Sequence, residues 1–232
     1  MPSLAFDILQ RPEFAMLRLQ LEAGQRVFSE PSAMAGMAPA IELKAGLKGG
    51  LMGSVGRMFA GESLIMNTYR AAGGPGELLL APAAVGDIIH YRLSRSRLLL
   101  QRGAYLANSE GVEVSASWAG ARGFFSGQGL VLLQAQGDGD IFFNAYGAVL
   151  QIDVSHDYIV DTGYVVAFED TLQYNVSALP GLGIGKQAKA FFFGGEGLVV
   201  RFSGQGKVWV QTRTIGPLLN WVHAFRPQKR ND

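Results

Sequence analysis

The sequence predicts an all-β fold of three β repeats with pseudo-threefold symmetry. Two phrases that each occur three times, in the same order, carry that prediction. The first is a glycine, then Glu or Gln, a small residue and an apolar run: Gly61-Glu62-Ser63-Leu64-Ile65-Met66, Gly127-Gln128-Gly129-Leu130-Val131-Leu132 and Gly195-Glu196-Gly197-Leu198-Val199-Val200. The second is a Gly-x-Gly turn, a charged residue and three apolar residues: Gly74-Pro75-Gly76-Glu77-Leu78-Leu79-Leu80, Gly137-Asp138-Gly139-Asp140-Ile141-Phe142-Phe143 and Gly204-Gln205-Gly206-Lys207-Val208-Trp209-Val210. A tight turn feeding a strand requires this pattern, and a fixed order of recurring motifs points to internal triplication. A third observation agrees: 31 of 232 residues are glycine, nearly twice average usage of ~7%. The expected organisation is a single domain, residues 1–232, with repeats at about 24–82, 98–154 and 158–214 and a tail over 215–232. Gly61, Gly76, Gly127, Gly139, Gly195 and Gly206 are the expected structural turn glycines, and the glycines after the apolar openings and in the Gly-x-Gly turns are expected at equivalent places, many with positive φ.

Leu17-Arg18-Leu19-Gln20-Leu21-Glu22 alternates apolar and polar side chains, as a strand with one buried face does. Ala23-Gly24 turns it into Arg26-Val27-Phe28, and Pro31 and small residues form a turn before Ile41-Glu42-Leu43-Lys44. Gly86-Asp87 leads into a bridging strand, Ile88 to Leu93. The second repeat opens at Leu98 to Ala107 and the third, with a matching run, at Tyr158 to Ala167. Alternating strands follow at Val112 to Trp118 and Leu172 to Val176. In the tail, Leu218, Trp221, Val222 and Phe225 recur at helical spacing after Pro217, a favoured early helical residue, and predict a short packing helix.

Residues 45–60 break the strand pattern. Leu47, Leu51, Met52, Val55, Met58 and Phe59 sit there among glycines, with Lys44, Lys48 and Arg57 nearby. Glycine at this density opposes a stable helix, each interior glycine costing roughly 1 kcal/mol. Six apolar residues on one insert predict a contact surface for another subunit or a membrane, because exposed apolar patches mark interaction sites. An inner hairpin folded back on its own repeat accounts for the same composition, since apolar residues also build cores.

The triplicated glycine turns, the glycine-rich insert before the first of them, the length and the absence of cysteine resemble the altered-inheritance-of-mitochondria protein family, over essentially the whole chain. The resemblance implies a fold similar to the tryptophan RNA-binding attenuation protein, with three β repeats around a pseudo-threefold axis. It implies no agreed enzymatic activity and no catalytic residues to carry over. Mitochondrial members are linked to inner-membrane organisation, which implies a scaffold or peripheral-membrane role.

The chemical motifs are weak. Ser155-His156-Asp157 holds the residue types of a hydrolase triad, but adjacent residues point in different directions and a turn is expected instead. His90, His156 and His223 are scattered, and without cysteine a metal site would need them to converge with carboxylates. Gly181 to Gln187 looks like a phosphate loop, yet lacks the Ser or Thr after Lys186 and a following helix. Asp138, Asp140, Asp153, Asp157 and Asp161 lack calcium-loop spacing and read as solvated turn carboxylates. Arg92, Arg95, Arg97 and Arg102 form the densest basic run, which suits either an exposed connector or a face for acidic groups.

A formal net charge of +1 with 17% charged residues provides no field for nucleic acid, which is not an expected partner. The N-terminal residues lack a signal-peptide pattern, so a cytoplasmic protein without integral membrane segments is expected, with peripheral membrane contact allowed by the insert. The leading expectation is a non-enzymatic, self-associating β scaffold that forms a homo-oligomer and carries no catalytic residue, metal or cofactor. The alternative is a small-ligand or RNA-binding module of the attenuator type.

Overall fold

The computed structural model describes residues 3–47, 65–116, 132–179 and 198–226. Nearly all of it is β, in the order β1 (Ala5–Leu9), β2 (Met16–Leu21), β3 (Arg26–Ser29), β4 (Met34–Met37), β5 (Glu42–Leu47), β6 (Ile65–Arg70), β7 (Gly76–Leu80) and the long β8 (Ile88–Gln101). Then come β9 (Tyr105–Ser109), β10 (Val112–Ala116), a second long strand β11 (Leu132–Asn144), β12 (Val149–Val154), β13 (Tyr158–Asp161) and β14 (Val165–Glu169). The order ends with β15 (Gln173–Ala178), β16 (Leu198–Ser203), β17 (Gly206–Gln211) and one helix, α1 (Ile215–His223). The all-β expectation is correct.

The alternation read from the sequence decides which faces are buried. Leu17, Leu19 and Leu21 of β2 are at most 1% exposed, while the intervening Arg18 and Gln20 face outward. Val112 and Val114 of β10 are likewise buried and Glu113 between them is exposed. The bridging segment and the opening of the middle repeat form one strand, β8, which runs antiparallel to β11 along its whole length. Val149–Val154, which the sequence reading places at the end of the middle repeat, pairs as β12 with β17.

One local arrangement occurs three times. Strands β4, β9 and β14 pair antiparallel with β7, β11 and β17, and each carries one extra residue at the same step: Ala35, Leu106 and Val166. Each system carries a Gly-x-Gly phrase in which the two glycines do different things: Gly74–Gly76 and Gly204–Gly206 bend into β7 and β17, whereas Gly137–Gly139 is not the expected turn but lies inside β11, at the register shift between Gly137 and Asp138. The first has positive φ, +130° at Gly74, +128° at Gly137 and +101° at Gly204, a conformation side chains oppose. The second, Gly76, Gly139 or Gly206, does not. Positive φ is therefore the wrong reason for these three. A Cβ there would come under 3.0 Å from the side chain of Ala38, Ser109 or Thr171, so a neighbouring side chain already fills the space that a Cβ would need. Gly61, Gly127 and Gly195 lie outside the described residues.

Two joints connect β5–β6–β3, β9–β11–β8 and β14–β17–β12, with β10 on β11, into one ten-stranded sheet, while β1–β2–β7–β4 and β13–β16–β15 form separate sheets of four and three strands. At the first, β9 pairs with β3 in the register Val27↔Ser109, Phe28↔Asn108, Ser29↔Ala107. At the second, β14 pairs with the end of β8: Leu98↔Glu169, Leu99↔Phe168, Leu100↔Ala167. The core follows these joints. The first apolar cluster, around Leu17, Leu19, Tyr69 and Leu78, takes in Leu106, Ala107 and Phe142 from the following strands. The second, around Leu93, Leu133 and Phe143, takes in Val166, Ala167 and Trp209, and the third, around Phe168, Val200 and Phe202, takes in Leu99 and Leu132. No cluster is closed by its own strands alone.

Helix α1 is present where the tail predicts it, but it is not a packing helix. Leu218, Trp221, Val222 and Phe225 are 41, 65, 44 and 72% exposed, and no residue of the helix is buried. The helical spacing sets a face without supplying a surface in this chain to cover it.

The glycine geometry makes a specific prediction. Gly139→Ala, forced against Ser109 and Val112, is expected to lose about 1–3 kcal/mol in chemical denaturation. Gly103→Ala, with open space at its Cβ, should change stability by less than about 0.5 kcal/mol. Equal effects of the two substitutions would refute the close-approach role.

Candidate functional site

The side chains singled out from the sequence are mostly held in separate local contacts. Ser155 and His156 are hydrogen-bonded to each other, Oγ to Nδ1 at 3.0 Å, on the exposed turn after β12. Asp157 turns away from His156 and pairs with Arg201 on β16. No Ser–His–Asp relay exists there. Asp161 accepts from the Gly163 N–H at 2.8 Å and Asp153 from Gln151 at 3.2 Å, as turn and strand carboxylates do. Of the basic run, Arg92 contacts Asp138 and Asp140, and Arg97 contacts Asp170 at 2.7 Å. Among the described residues, no group of three or more His, Asp or Glu side chains is arranged to hold a metal ion. No described helix is long and apolar enough to cross a membrane. Leu47 ends β5, and Leu51, Met52, Val55, Met58, Phe59 and Lys186 lie outside the described residues.

Asp140 departs from the sequence reading. It is not a solvated turn carboxylate: its side chain is fully buried, in the middle of β11. It accepts from the Leu4 backbone N–H at 2.9 Å, His90 Nε2 at 2.8 Å and Arg92 at 3.1 Å, with the Ser3 hydroxyl 3.4 Å from each carboxylate oxygen. Its own N–H donates to the Ser109 hydroxyl at 2.9 Å. Burial alone would raise the Asp140 pKa. The Leu4 N–H, His90 and Arg92 outweigh it and hold the carboxyl below its ordinary 3.8. The rings of Phe6, His90 and Phe142 pack against one another, tilted or edge-on, at centroid distances of 4.4–5.1 Å.

Register explains how these residues meet. Arg92 and His90 of β8 stand opposite Asp140 and Phe142 of β11, so basic and acidic side chains two residues apart share one face. The carboxylate lies between Ser3 and His90, whereas a nucleophilic relay places the imidazole between hydroxyl and carboxylate. The arrangement pins the N-terminal segment and β1 over the β8–β11 pair. The pattern His90-x-Arg92 opposite Asp140-x-Phe142 was the available signal, and reading each residue alone misses it.

Two further carboxylates lie at the strand joints, and one of them, Glu169, knits its neighbours. Glu169 accepts from the Tyr91 hydroxyl at 2.9 Å and the Lys207 N–H at 3.0 Å. Burial and then Glu169 push the Tyr91 pKa up to about 12. Glu30, just past β3, is raised by burial to about 7.

Two strands, β4 and β13, each carry a pair of exposed apolar side chains. Met34 and Met37 on β4 are 38 and 40% exposed, and Tyr158 and Ile159 on β13 are 44 and 46% exposed. Strands β9 and β14, which bear the same relation to β11 and β17 that β4 bears to β7, are buried almost throughout. Each is covered by a strand of the neighbouring system. On β4 and β13 the outer edge has no strand partner among the described residues.

A family model described as mitochondrial biogenesis AIM24 matches residues 6–213. An uncharacterised protein of Streptococcus pyogenes is 26% identical over 240 residues, covering 98% of this chain and 93% of that protein. A crystal structure of a Streptococcus pyogenes protein superposes with a TM-score of 0.79 at 26% identity, over 96% of this chain and the whole of the other.

The buried Asp140 and the half-buried Glu30 make pH-dependent predictions. The folded-state pKa of Asp140 is depressed, so its stabilisation is present above its unfolded value and is lost as pH falls through the folded one. Asp140→Ala strands His90, Arg92 and the Leu4 N–H. It is expected to cost about 3–5 kcal/mol at pH 7, with the gap to the parent narrowing below about pH 4 in thermal melts. Glu30 has the opposite sign. Its folded pKa of about 7 exceeds the ordinary 4.5, so its contribution is full below 4.5 and declines as pH rises through 7. Glu30→Gln is expected to raise Tm at pH 8 and to match the parent near pH 4.5; an unchanged difference across that range would contradict the burial.

Proposed function

Because the chain belongs to the mitochondrial biogenesis AIM24 family, matched over residues 6–213, we propose that it is a self-associating β scaffold without an enzymatic role of its own. In this reading the chain is one domain of three pseudo-threefold units, drawn by strand pairing at about residues 16–80, 88–144 and 149–211. One observation carries it: β3–β9 and β8–β14 join successive strand systems in the same register, each adding a strand to the next system's edge. A chain that grows internally by edge addition has the geometry to grow between copies. The polar clusters support the reading, because Asp140, Glu169 and Asp87 each bind strands or segments together. Asp87, for example, takes both Arg11 nitrogens at 2.8 Å and the Ile88 N–H at 2.8 Å.

A second feature favours contact with an anionic membrane surface. Helix α1 and the turn after it expose Leu218, Leu219, Trp221, Val222 and Phe225, with Arg213 and Arg226 flanking them and Lys229 and Arg230 following in sequence. Aromatic and aliphatic residues bordered by basic ones suit the headgroup boundary. The insert carrying Leu51, Met52, Val55, Met58 and Phe59 has a similar composition and is proposed to share this role or the subunit contact.

Light scattering on the purified chain is expected to give a native mass above 24.9 kDa that falls on dilution. A single-chain mass at every concentration would overturn the scaffold reading. Truncation after Thr214 is expected to reduce cosedimentation with anionic liposomes several-fold and to leave native mass unchanged. Undiminished cosedimentation would remove α1 from the membrane role.

A further inference from the structure

The two inner joints specify a third pairing that no single copy of the chain makes. Gly36, Met37 and Ala38 occupy, relative to β7 and its extra residue Ala35, the places that Ala107, Asn108 and Ser109 occupy on β11 and that Ala167, Phe168 and Glu169 occupy on β17. Both of those triplets are covered, by Ser29, Phe28 and Val27 at the first joint and by Leu100, Leu99 and Leu98 at the second. On the opposite side, Val160, Ile159 and Tyr158 precede the single 3-10 turn Thr162–Tyr164, as Leu100, Leu99 and Leu98 precede the 3-10 turn Arg102–Ala104. One covering strand is thus spare at β13, and one strand that ought to be covered is bare at β4.

We propose that a second copy of this chain fills the gap, its β13 pairing antiparallel with β4 in the register Val160↔Gly36, Ile159↔Met37 and Tyr158↔Ala38. The proposal rests on the self-association reading and names its contact surface. The side chains fit the role: Met34, Met37, Tyr158 and Ile159 are the apolar residues left exposed on these two strands. Burying them removes two hydrophobic edges that otherwise invite unspecific pairing. The two surfaces differ, so the contact is head-to-tail, and repetition gives a closed ring or an open filament according to the rotation between copies.

Charge sets the outer joint apart from the inner ones. Arg26 pairs with Glu110 across the first joint and Arg97 with Asp170 across the second. The corresponding outer positions are Asp157, already paired with Arg201 in its own sheet, and Pro39. Without the ion pair of the inner joints, the outer joint is the weaker one, and the assembly is expected to dissociate on dilution before the chain unfolds.

The chain has no cysteine, which makes a cross-link test direct. Met37→Cys with Ile159→Cys in one chain is expected to give, on mild oxidation, a ladder of reducible multimers on denaturing gels, whereas either single variant gives none beyond a disulfide dimer. A disulfide-closed monomer with no ladder would mean that β4 and β13 meet within one chain, and would overturn the proposal. Met37→Lys and Ile159→Lys, both at exposed positions, should each reduce the parent's assembly. Mixed together, they should recover one contact per pair of chains, because each retains the edge that the other lacks. A parent that is monomeric sinks the scaffold reading itself. A parent that assembles, with both lysine variants assembling equally well and no ladder from the double-cysteine chain, leaves that reading standing and removes this interface. Far-ultraviolet circular dichroism matching the parent ensures that lost assembly is not lost folding.

Discussion

The structure depends on one constraint: a short strand must pair on both edges or carry an exposed row of backbone donors and acceptors. Here that need is met by strands from the neighbouring system at the β3–β9 and β8–β14 joints. Every other feature is arranged around those joints. The apolar clusters run across them, with Leu106, Ala107 and Phe142 completing the first core and Leu99 and Leu132 the third. The ion pairs of Arg26 and Arg97 sit beside them. The Gly-x-Gly phrases bring the side chains of Ala38, Ser109 and Thr171 within 3.0 Å of where a Cβ on Gly76, Gly139 or Gly206 would stand.

The connectors obey the same economy. Gly86 and Gly147 form a parallel bridge, reinforced by Asp87 N–H to Gly147 O at 3.0 Å and Gly147 N–H to Val85 O at 2.9 Å, and Ala15 N–H reaches Gly86 O at 2.9 Å. The segments leading into β2, β8 and β12 therefore meet in one place. Arg11 closes the group by binding both oxygens of Asp87, and the buried carboxylate satisfies the backbone as well as the cation.

Polar chemistry in this chain serves assembly of its own strands. Asp140 is surrounded by a backbone N–H, an imidazole and a guanidinium, which together keep it ionised inside the sheet. The cost of burying that charge is offset only while all its partners stay in place, so β1 cannot leave without stranding it. Glu169 plays a comparable part between β8, β14 and β17 through Tyr91 and Lys207. Glu30 is the exception: its carboxyl is half-buried at the first joint, and burial raises it towards neutrality.

Local pattern determined much of this protein from sequence. Alternation in Leu17 to Leu21 and in Val112 to Val114 set which faces are buried, the phrases Gly74–Gly76 and Gly204–Gly206 located the bends before β7 and β17, and the spacing of Leu218, Trp221, Val222 and Phe225 placed the helix, because each of these is decided within a few residues. The tertiary structure decided what depends on register between distant strands. Asp140 became the centre of a buried network only because β8 sets His90 and Arg92 beside it, and β8 became one strand only because β11 pairs along its full length. Met37 and Ile159 are unremarkable in the chain. Their importance comes from lying on the two edges that the joints leave uncovered, a property of topology that no short stretch of residues encodes.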